Sequence, residues 1–297
     1  MDGLFDTHAH LCDSMYTEQD RLACWDALED GRLAGIMDVG YDLATSRLAA
    51  AHAAAHPHCF AAVGIHPLFA EGAGASAAMG ADALTLGEML DELAWLCLSE
   101  GVRAIGEAGL DYHRRRGAPS DACGAAQGTA PGTSPRACSA PERIRRQDEL
   151  FRAQIGLAKQ LGLPLIVHDR EAHGDVLRIL KEEAAFAGAG VLLHSYSGSA
   201  ELAREYAALG AMLSFSGVVT WAGNRKTALA CAAVPDAQLL IETDAPWLAP
   251  EPRRGGQNSP LLLGHTAKRV AEIRGVTPAA LAELTRENAL RFFGLDA

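Results

Sequence analysis

Eightfold alternation of strand-like and helix-like segments predicts a parallel (β/α)8 barrel, the TIM-barrel class of α/β fold, for this chain of 297 residues. Two further observations favour a barrel over an open doubly wound sheet. No G-x-G-x-x-G follows the first strand, and polar residues recur at the C-terminal ends of the strands, which a barrel gathers on one face. Barrels of this size are routinely one domain, so residues 1–297 are expected to form a single domain.

The strands are read, in order, at 4–10, 35–40, 59–66, 102–110, 164–170, 191–196, 211–216 and 239–244. The stretches between them are long enough for helices. In 141–161 the apolar residues Ile144, Phe151, Ile155, Ala158 and Leu161 lie close to one helical face. Ser139 with Glu142 three residues later reads as a capping box, and Gly162 followed by Pro164 reads as a stop. One segment breaks the pattern. Residues 117–141 are mostly Gly, Ala, Pro, Ser and Thr, with only Asp121 and Arg136 charged, so they are read as a loop insertion after strand four.

Hydrophobic residues make up 49% of the chain and charged residues 21%, enough for a true core. The formal charge of −11 argues against a protein that coats nucleic acid by charge alone. It leaves open an enzyme that meets phosphodiesters in a locally positive pocket. The seven cysteines show no C-x-x-C or finger spacing, so free thiols are expected. No apolar run is long enough to span a membrane, and the opening Met1-Asp2-Gly3-Leu4-Phe5-Asp6 is acidic where a signal peptide is basic. A cytoplasmic protein with no membrane contact and no obligate protein partner is the expectation.

The strongest chemical signal is Asp6-Thr7-His8-Ala9-His10 in the first strand. Alternation places His8 and His10 on one face, with Asp6 expected one step below to orient one of the imidazoles. Two imidazoles side by side in a barrel interior are costly unless they bind something, and a divalent cation is the usual answer. Later strands end in further ligand types: Glu107 on strand four, His168 on strand five, His194 on strand six and Asp244 on strand eight. Four histidines, a glutamate and an aspartate converging on one face make two cation positions a natural count.

With these motifs the chain resembles the TatD-type metal-dependent deoxyribonucleases, within the amidohydrolase-like metallohydrolases. The resemblance rests on DTHAHL at 6–11, VGIHP at 63–67, IGEAGLDY at 105–112, PLIVHDR at 164–170, HSYSG at 194–198, SFSG at 214–217 and IETDAPWLAP at 241–250. It implies a TIM barrel with His8, His10 and Asp244 on one metal, His168 and His194 on the other, and Glu107 bridging. It further implies exonucleolytic cleavage of DNA phosphodiesters by water activated between two divalent ions (Mg²⁺, Mn²⁺ or Zn²⁺), with single-stranded or frayed DNA ends as substrate. Asp244 and Glu107 are the expected catalytic carboxylates, Asp244 as general base. The chain departs from the family pattern at Ser195-Tyr196, where Cys-Phe is common, and at Gly256-Gln257-Asn258-Ser259-Pro260, which lacks the usual basic and acidic residues.

Substrate-side candidates are His66, which ends strand three, Arg170, which shares a face with His168, and Arg254 and Asn258 after strand eight. Arg114-Arg115-Arg116 and the group Arg143, Arg145 and Arg146 are read as solvated surface. His52, His56, His58 and His173 are assigned surface or packing roles, and the four tryptophans packing roles, with Trp247 near the pocket. Two rival readings stand beside the nuclease: a hydrolase of an amide, lactone or aminoacyl ester on the same scaffold, and a non-catalytic metal-binding protein.

Overall fold

A computed structural model describes residues 2–70, 84–113 and 140–295. Its single sheet has eight strands in sequential order, every neighbouring pair parallel: β1 (Leu4–Ala9), β2 (Leu33–Val39), β3 (Cys59–Val63), β4 (Val102–Asp111), β5 (Leu165–Arg170), β6 (Val191–Leu193), β7 (Met212–Phe215) and β8 (Leu239–Ile241). The helices are α1 (Glu18–Glu29), α2 (Leu43–Ala55), α3 (Leu86–Leu96), α4 (Ala140–Leu161), α5 (His173–Glu182), α6 (Ala200–Ala208), α7 (Arg225–Ala233), α8 (Leu263–Arg274) and α9 (Pro278–Phe293). Thr17, Asp42 and Thr85 cap α1, α2 and α3 with reciprocal capping boxes, which fixes where each chain segment leaves its loop.

All eight expected strands are present, and the nearly closed barrel is the expected fold. β6 and β8 stop three residues short of their expected ends. At these ends the backbone turns left-handed, with φ of 41° at Ser195 and 55° at Asp244, and that turn takes the site residues out of the ladder. α4 begins at Ala140, so the expected 117–141 loop gives up its last two residues to the helix. The other residues of that segment, Ser139 of the expected capping box included, lie outside the described residues, as does Arg114-Arg115-Arg116. Gly162, with φ of 65°, follows α4 as expected.

Two packed layers hold the barrel. Inside it, Phe5, Met37, Val39, Ala62, Ala104, Ile166, Leu192, Met212 and Leu240 form one cluster, joined by Ala289 and Phe293 of α9. Phe5 stacks on Phe60 at 5.9 Å and on Phe293 at 6.3 Å, so α9 packs against the early part of the strands and leaves their C-terminal ends open. The second, larger cluster lies between strands and helices. Among the described residues, no helix is long and apolar enough to cross a membrane.

The β1–β8 seam closes through polar contacts. Asp6 accepts from the backbone N–H of Thr243 at 2.9 Å and from its hydroxyl at 2.6 Å, while His10 N donates to Ala245 O at 2.7 Å and Asp244 N to His8 O at 2.8 Å. The expectation that Asp6 orients an imidazole is therefore corrected. The β1–β2 register slips between Asp6 and Ala9, and the Asp6 carboxylate is spent on Thr243.

Between β4 and β5 the strands come unusually close. Gly109 pairs with His168, and a Cβ there would lie 2.0 Å from the His168 carbonyl oxygen, at a φ of 149° that L side chains rarely adopt. Gly109→Ala should cost about 3 kcal/mol or more and lower the thermal midpoint by roughly 6–12 °C. An unchanged midpoint in a calorimetric scan would show that the strands separate freely, against the packing described.

Candidate metal centre

Five strands deliver the centre. His8 comes from β1 and His10 from the residue after it, Glu107 from β4, His168 from β5, His194 from the residue after β6, and Asp244 from the turn after β8. All six are buried or nearly so. Oε2 of Glu107 lies 3.6 Å from His8 Nε2 and 3.7 Å from His10 Nε2. Its Oε1 lies 2.5 Å from His168 Nδ1 and 2.7 Å from His194 Nε2. Asp244 Oδ1 stands 3.4 Å from His10 Nε2 and 3.9 Å from His8 Nε2. The structure thus brings together all six expected ligands, with Glu107 between two imidazole pairs.

The donor chemistry of these groups fits a cation. His10 Nδ1 donates to Val39 O at 2.6 Å, so a neutral His10 turns a bare Nε2 inward. That nitrogen meets His8 Nε2 at 3.0 Å, while His8 Nδ1 is buried without a partner. His194 Nδ1 faces Glu242 Oε1 at 3.3 Å, which likewise leaves Nε2 for the pocket. Among the described residues no Lys or Arg pairs with Glu107 or Asp244. Imidazoles and carboxylates crowded in a buried pocket, with no Lys or Arg paired to them among the described residues, are what a divalent ion stabilises. Ligand atoms within 4.8 Å of one another occur in His8–His10–Asp244 and in His8–Glu107–His194, either of which can hold an ion.

Burial and charge set the protonation. Burial pushes the Glu107 carboxyl up, but His194, His66 and His168 outweigh it and hold the group well below the usual carboxylate range. Burial opposes charge on His168, yet Glu107 and Asp111 carry its pKa up to about 9. His194 is raised well above its ordinary value in the same way, against burial, by Glu107 and Glu242. His8 moves down, through burial and the facing His194. His66 falls to about 3, through burial and His168.

Two residues next to this set went unassigned in the sequence. Glu242, fully buried, accepts from Ser195 N at 2.8 Å as well as facing His194. Asp111 places Oδ2 3.3 Å from His168 Nε2. The signal for both was spacing: Glu242 stands two residues before Asp244 in the stretch expected as strand eight, and Asp111 four after Glu107 on β4, so alternation would put each on a ligand's face.

Of the substrate-side candidates, His66 is at the centre, its Nε2 3.7 Å from Glu107 Oε1. Arg170 is exposed at the end of β5, and its guanidinium makes no ion pair with a described residue. Arg254 turns away: it lies 4.4 Å over the Trp221 ring and 3.9 Å from Glu251. Asn258 is corrected outright. It is buried and donates to Thr243 O at 2.8 Å and Trp247 O at 2.6 Å, a tie within the loop after β8 with nothing left for a ligand. Trp247 is 41% exposed with its ring 5.0 Å from that of His10, a rim position, and Trp95 is 65% exposed on α3 and packs little. His52 pairs with Asp38, His173 with Asp169, and His56 stacks on Trp25, roles of packing as expected. Arg145 and Arg146 pair with Glu149 and Glu142 on the surface of α4. The five described cysteines are free thiols.

An eight-stranded parallel barrel with a buried His/Glu/Asp centre at the C-terminal strand ends is the architecture of a metal-dependent hydrolase. The TatD-related DNase family model matches residues 5–294, and the chain belongs to that family. It is 36% identical over 99% of its length to the whole of YabD of Bacillus subtilis, named an uncharacterized metal-dependent hydrolase. It is 29% identical, over 99% of both chains, to a protein of Rahnella named 3'-5' ssDNA/RNA exonuclease TatD. The crystal structure of the TatD homologue YjjV from Escherichia coli superposes with a TM-score of 0.78 at 23% identity, covering 99% of this chain and 98% of that one, and shows the same fold.

Two outcomes follow for metal uptake. In the metal-free protein at pH 7, His168 and His194 are below their raised pKa values and carry protons, which a cation between them and Glu107 must displace. Zinc binding should release about one to two protons at pH 7, and affinity should rise with pH up to about 9. Calorimetry in buffers of different ionisation enthalpy reads the proton count, and pH-independent binding would contradict the assignment. Glu242→Ala should weaken metal affinity about 10–100-fold, with Glu242→Gln closer to wild type, in a competition titration with a chromogenic chelator.

Proposed function

We propose that this hydrolase cleaves phosphodiester bonds of DNA, working inward from single-stranded or frayed ends, with two divalent cations in the centre. One observation carries the reading: the two oxygens of Glu107 face two different imidazole pairs, at 3.6 and 3.7 Å on one side and 2.5 and 2.7 Å on the other. In this reading His8, His10 and Asp244 hold one cation, His168 and His194 the second, and Glu107 bridges them. The family's description and the exonuclease named in Rahnella support DNA as substrate.

Two bound cations, Mg²⁺, Mn²⁺ or Zn²⁺, supply Lewis acidity toward the phosphodiester and lower the pKa of the attacking water. The protein's own groups do the remaining work. Asp244, its side chain 13% exposed at the open end of the barrel, accepts the proton of the attacking water. Glu107 stays ionised, because the imidazoles around it hold its pKa down against burial. Arg170, exposed and without a carboxylate partner among the described residues, clamps a phosphate of the substrate through two parallel N–H donors.

The test is metal-stripped protein reconstituted in turn with Mg²⁺, Mn²⁺ and Zn²⁺ and incubated with end-labelled single- and double-stranded DNA. A metal-dependent one-nucleotide ladder is expected, and Asp244→Asn should keep its metal while losing about 100-fold or more in rate. Turnover of lactones or aminoacyl esters with DNA left intact would transfer the assignment to the rival hydrolase. Full metal occupancy with no turnover on any of these substrates would leave a metal-binding protein.

A further inference from the structure

Beside the centre, the donor atoms of His66, Asp111 and His168 form a third group within 4.8 Å of one another. By distance alone it is another cation position. Its hydrogen bonds point elsewhere. His66 precedes a single turn of 3-10 helix at Pro67–Phe69 and caps it, its Nδ1 accepting the backbone N–H of Leu68 at 3.1 Å. A backbone N–H can only donate, so Nδ1 carries the lone pair, and a neutral imidazole with its lone pair on Nδ1 carries its proton on Nε2. Coordination through Nε2 would move that proton to Nδ1, against the Leu68 N–H.

The other two members are committed as well. For His168 to offer Nδ1 to the side of Glu107, its proton must sit on Nε2, which lies 3.3 Å from Asp111 Oδ2. Asp111 is already the acceptor for His113 N at 2.8 Å through Oδ1. Neither imidazole therefore turns a lone pair into the third group. What remains is an N–H of His66 aimed into the pocket with Glu107 Oε1 at 3.7 Å, beyond hydrogen-bond range. His66 is 9% exposed, so this donor meets the pocket and little else.

We propose that His66 is no metal ligand but a fixed hydrogen-bond donor, whose Nε2–H contacts an anionic oxygen of the substrate beside the Glu107–His168 side of the centre. This rests on the hydrolase reading above and deepens it. The partner is an oxygen that gains negative charge during hydrolysis: a non-bridging phosphate oxygen, or the carbonyl oxygen of an ester. The cap makes the donor rigid, since the ring cannot rotate without releasing Leu68, and a pre-oriented donor favours the transition state more than the ground state.

The amide variants separate the two ring nitrogens. Asparagine can keep the cap, its Oδ1 replacing Nδ1, but has no group at the Nε2 position; glutamine can reach that position with its NH2. Expected for His66→Asn is unchanged metal stoichiometry and affinity, a kcat on DNA lower by about 10²–10³, and a nearly unchanged KM. His66→Gln should recover tenfold or more of that loss. Loss of a metal equivalent in His66→Asn, or turnover within about threefold of wild type, would overturn the proposal. A second readout is independent of turnover: long-range 15N–1H correlation on the zinc-loaded protein should show His66 bare at Nδ1 and protonated at Nε2. Inorganic phosphate should then shift the Nε2–H resonance. A proton on Nδ1, or zinc bound at His66, would sink the idea. Absence of DNA cleavage by the wild type would instead count against the nuclease reading, leaving His66 to be decided by the resonance assignment and ester turnover.

Discussion

The centre depends on one constraint: the Glu107 carboxylate is buried and must be held among imidazoles from other strands. A lone ionised carboxylate in a barrel interior carries a desolvation penalty of several kcal/mol, which positive or hydrogen-bonded partners must offset. Here those partners sit on β1, β5 and the end of β6, so the site exists only once strands far apart in sequence are closed into a ring. The close approach at Gly109 sets the β4–β5 spacing that leaves His168 2.5 Å from Glu107. The seam from Asp6 to Thr243 brings Asp244 beside His10. Features that look like fold are therefore site, and the glycine and the buried aspartate are as much part of the chemistry as the ligands.

The same logic extends one shell outward. An imidazole presents a lone pair only if its other nitrogen has somewhere to put the proton, and three of the rings solve this differently. His10 uses the carbonyl of Val39, His194 the carboxylate of Glu242, and His168 the carboxylate of Asp111. His66 is the reversed case, because its outer nitrogen is met by a donor and the proton is driven inward. Four of the five rings at the site are thus divided by the atoms behind them into three that can turn a lone pair inward when neutral and one donor. His8 has no such atom behind it, its Nδ1 being buried without a partner. Distance alone makes no such division, which is why a grouping by distance joins His66 to His168.

Much of this was legible in the sequence. The eight strands follow from short apolar runs, several of them ending in His, Glu or Asp; the choice of six ligands among those residues followed from the family resemblance, and the structure gathers all six. What could not be read depended on register and on the far side of each ring. The slip between Asp6 and Ala9 sends Asp6 to Thr243, although strict alternation puts it below His8. Asn258 has both donors and an acceptor, so it suits a substrate or a loop equally, and only the carbonyls of Thr243 and Trp247 decide. The ends of β6 and β8 fell short because Ser195 and Asp244 take a left-handed backbone that ordinary strand composition does not announce. Glu242 and Asp111 were visible as residues on the right face, but their use depends on which imidazole nitrogen faces them.

The distribution of charge bears on how the proposed nuclease would meet a polyanion. With a formal charge of −11, the chain as a whole repels DNA, and among the described residues the rim after β8 offers little compensation: Arg254 lies over Trp221, and Gly256 and Gln257 are uncharged. The mouth beside His10 is aromatic, with Trp247 at the edge and Tyr41 stacked on Phe69 at 5.5 Å. Among the described residues, this face therefore carries little of the long-range attraction that lets basic proteins coat nucleic acid. In the nuclease reading proposed above, affinity for a phosphodiester would come from the cations held around Glu107 and the inward N–H of His66, with Arg170 exposed at the end of β5. Under that reading such a site would take hold of one phosphate at a time, which suits cleavage at a chain end better than passage along a duplex.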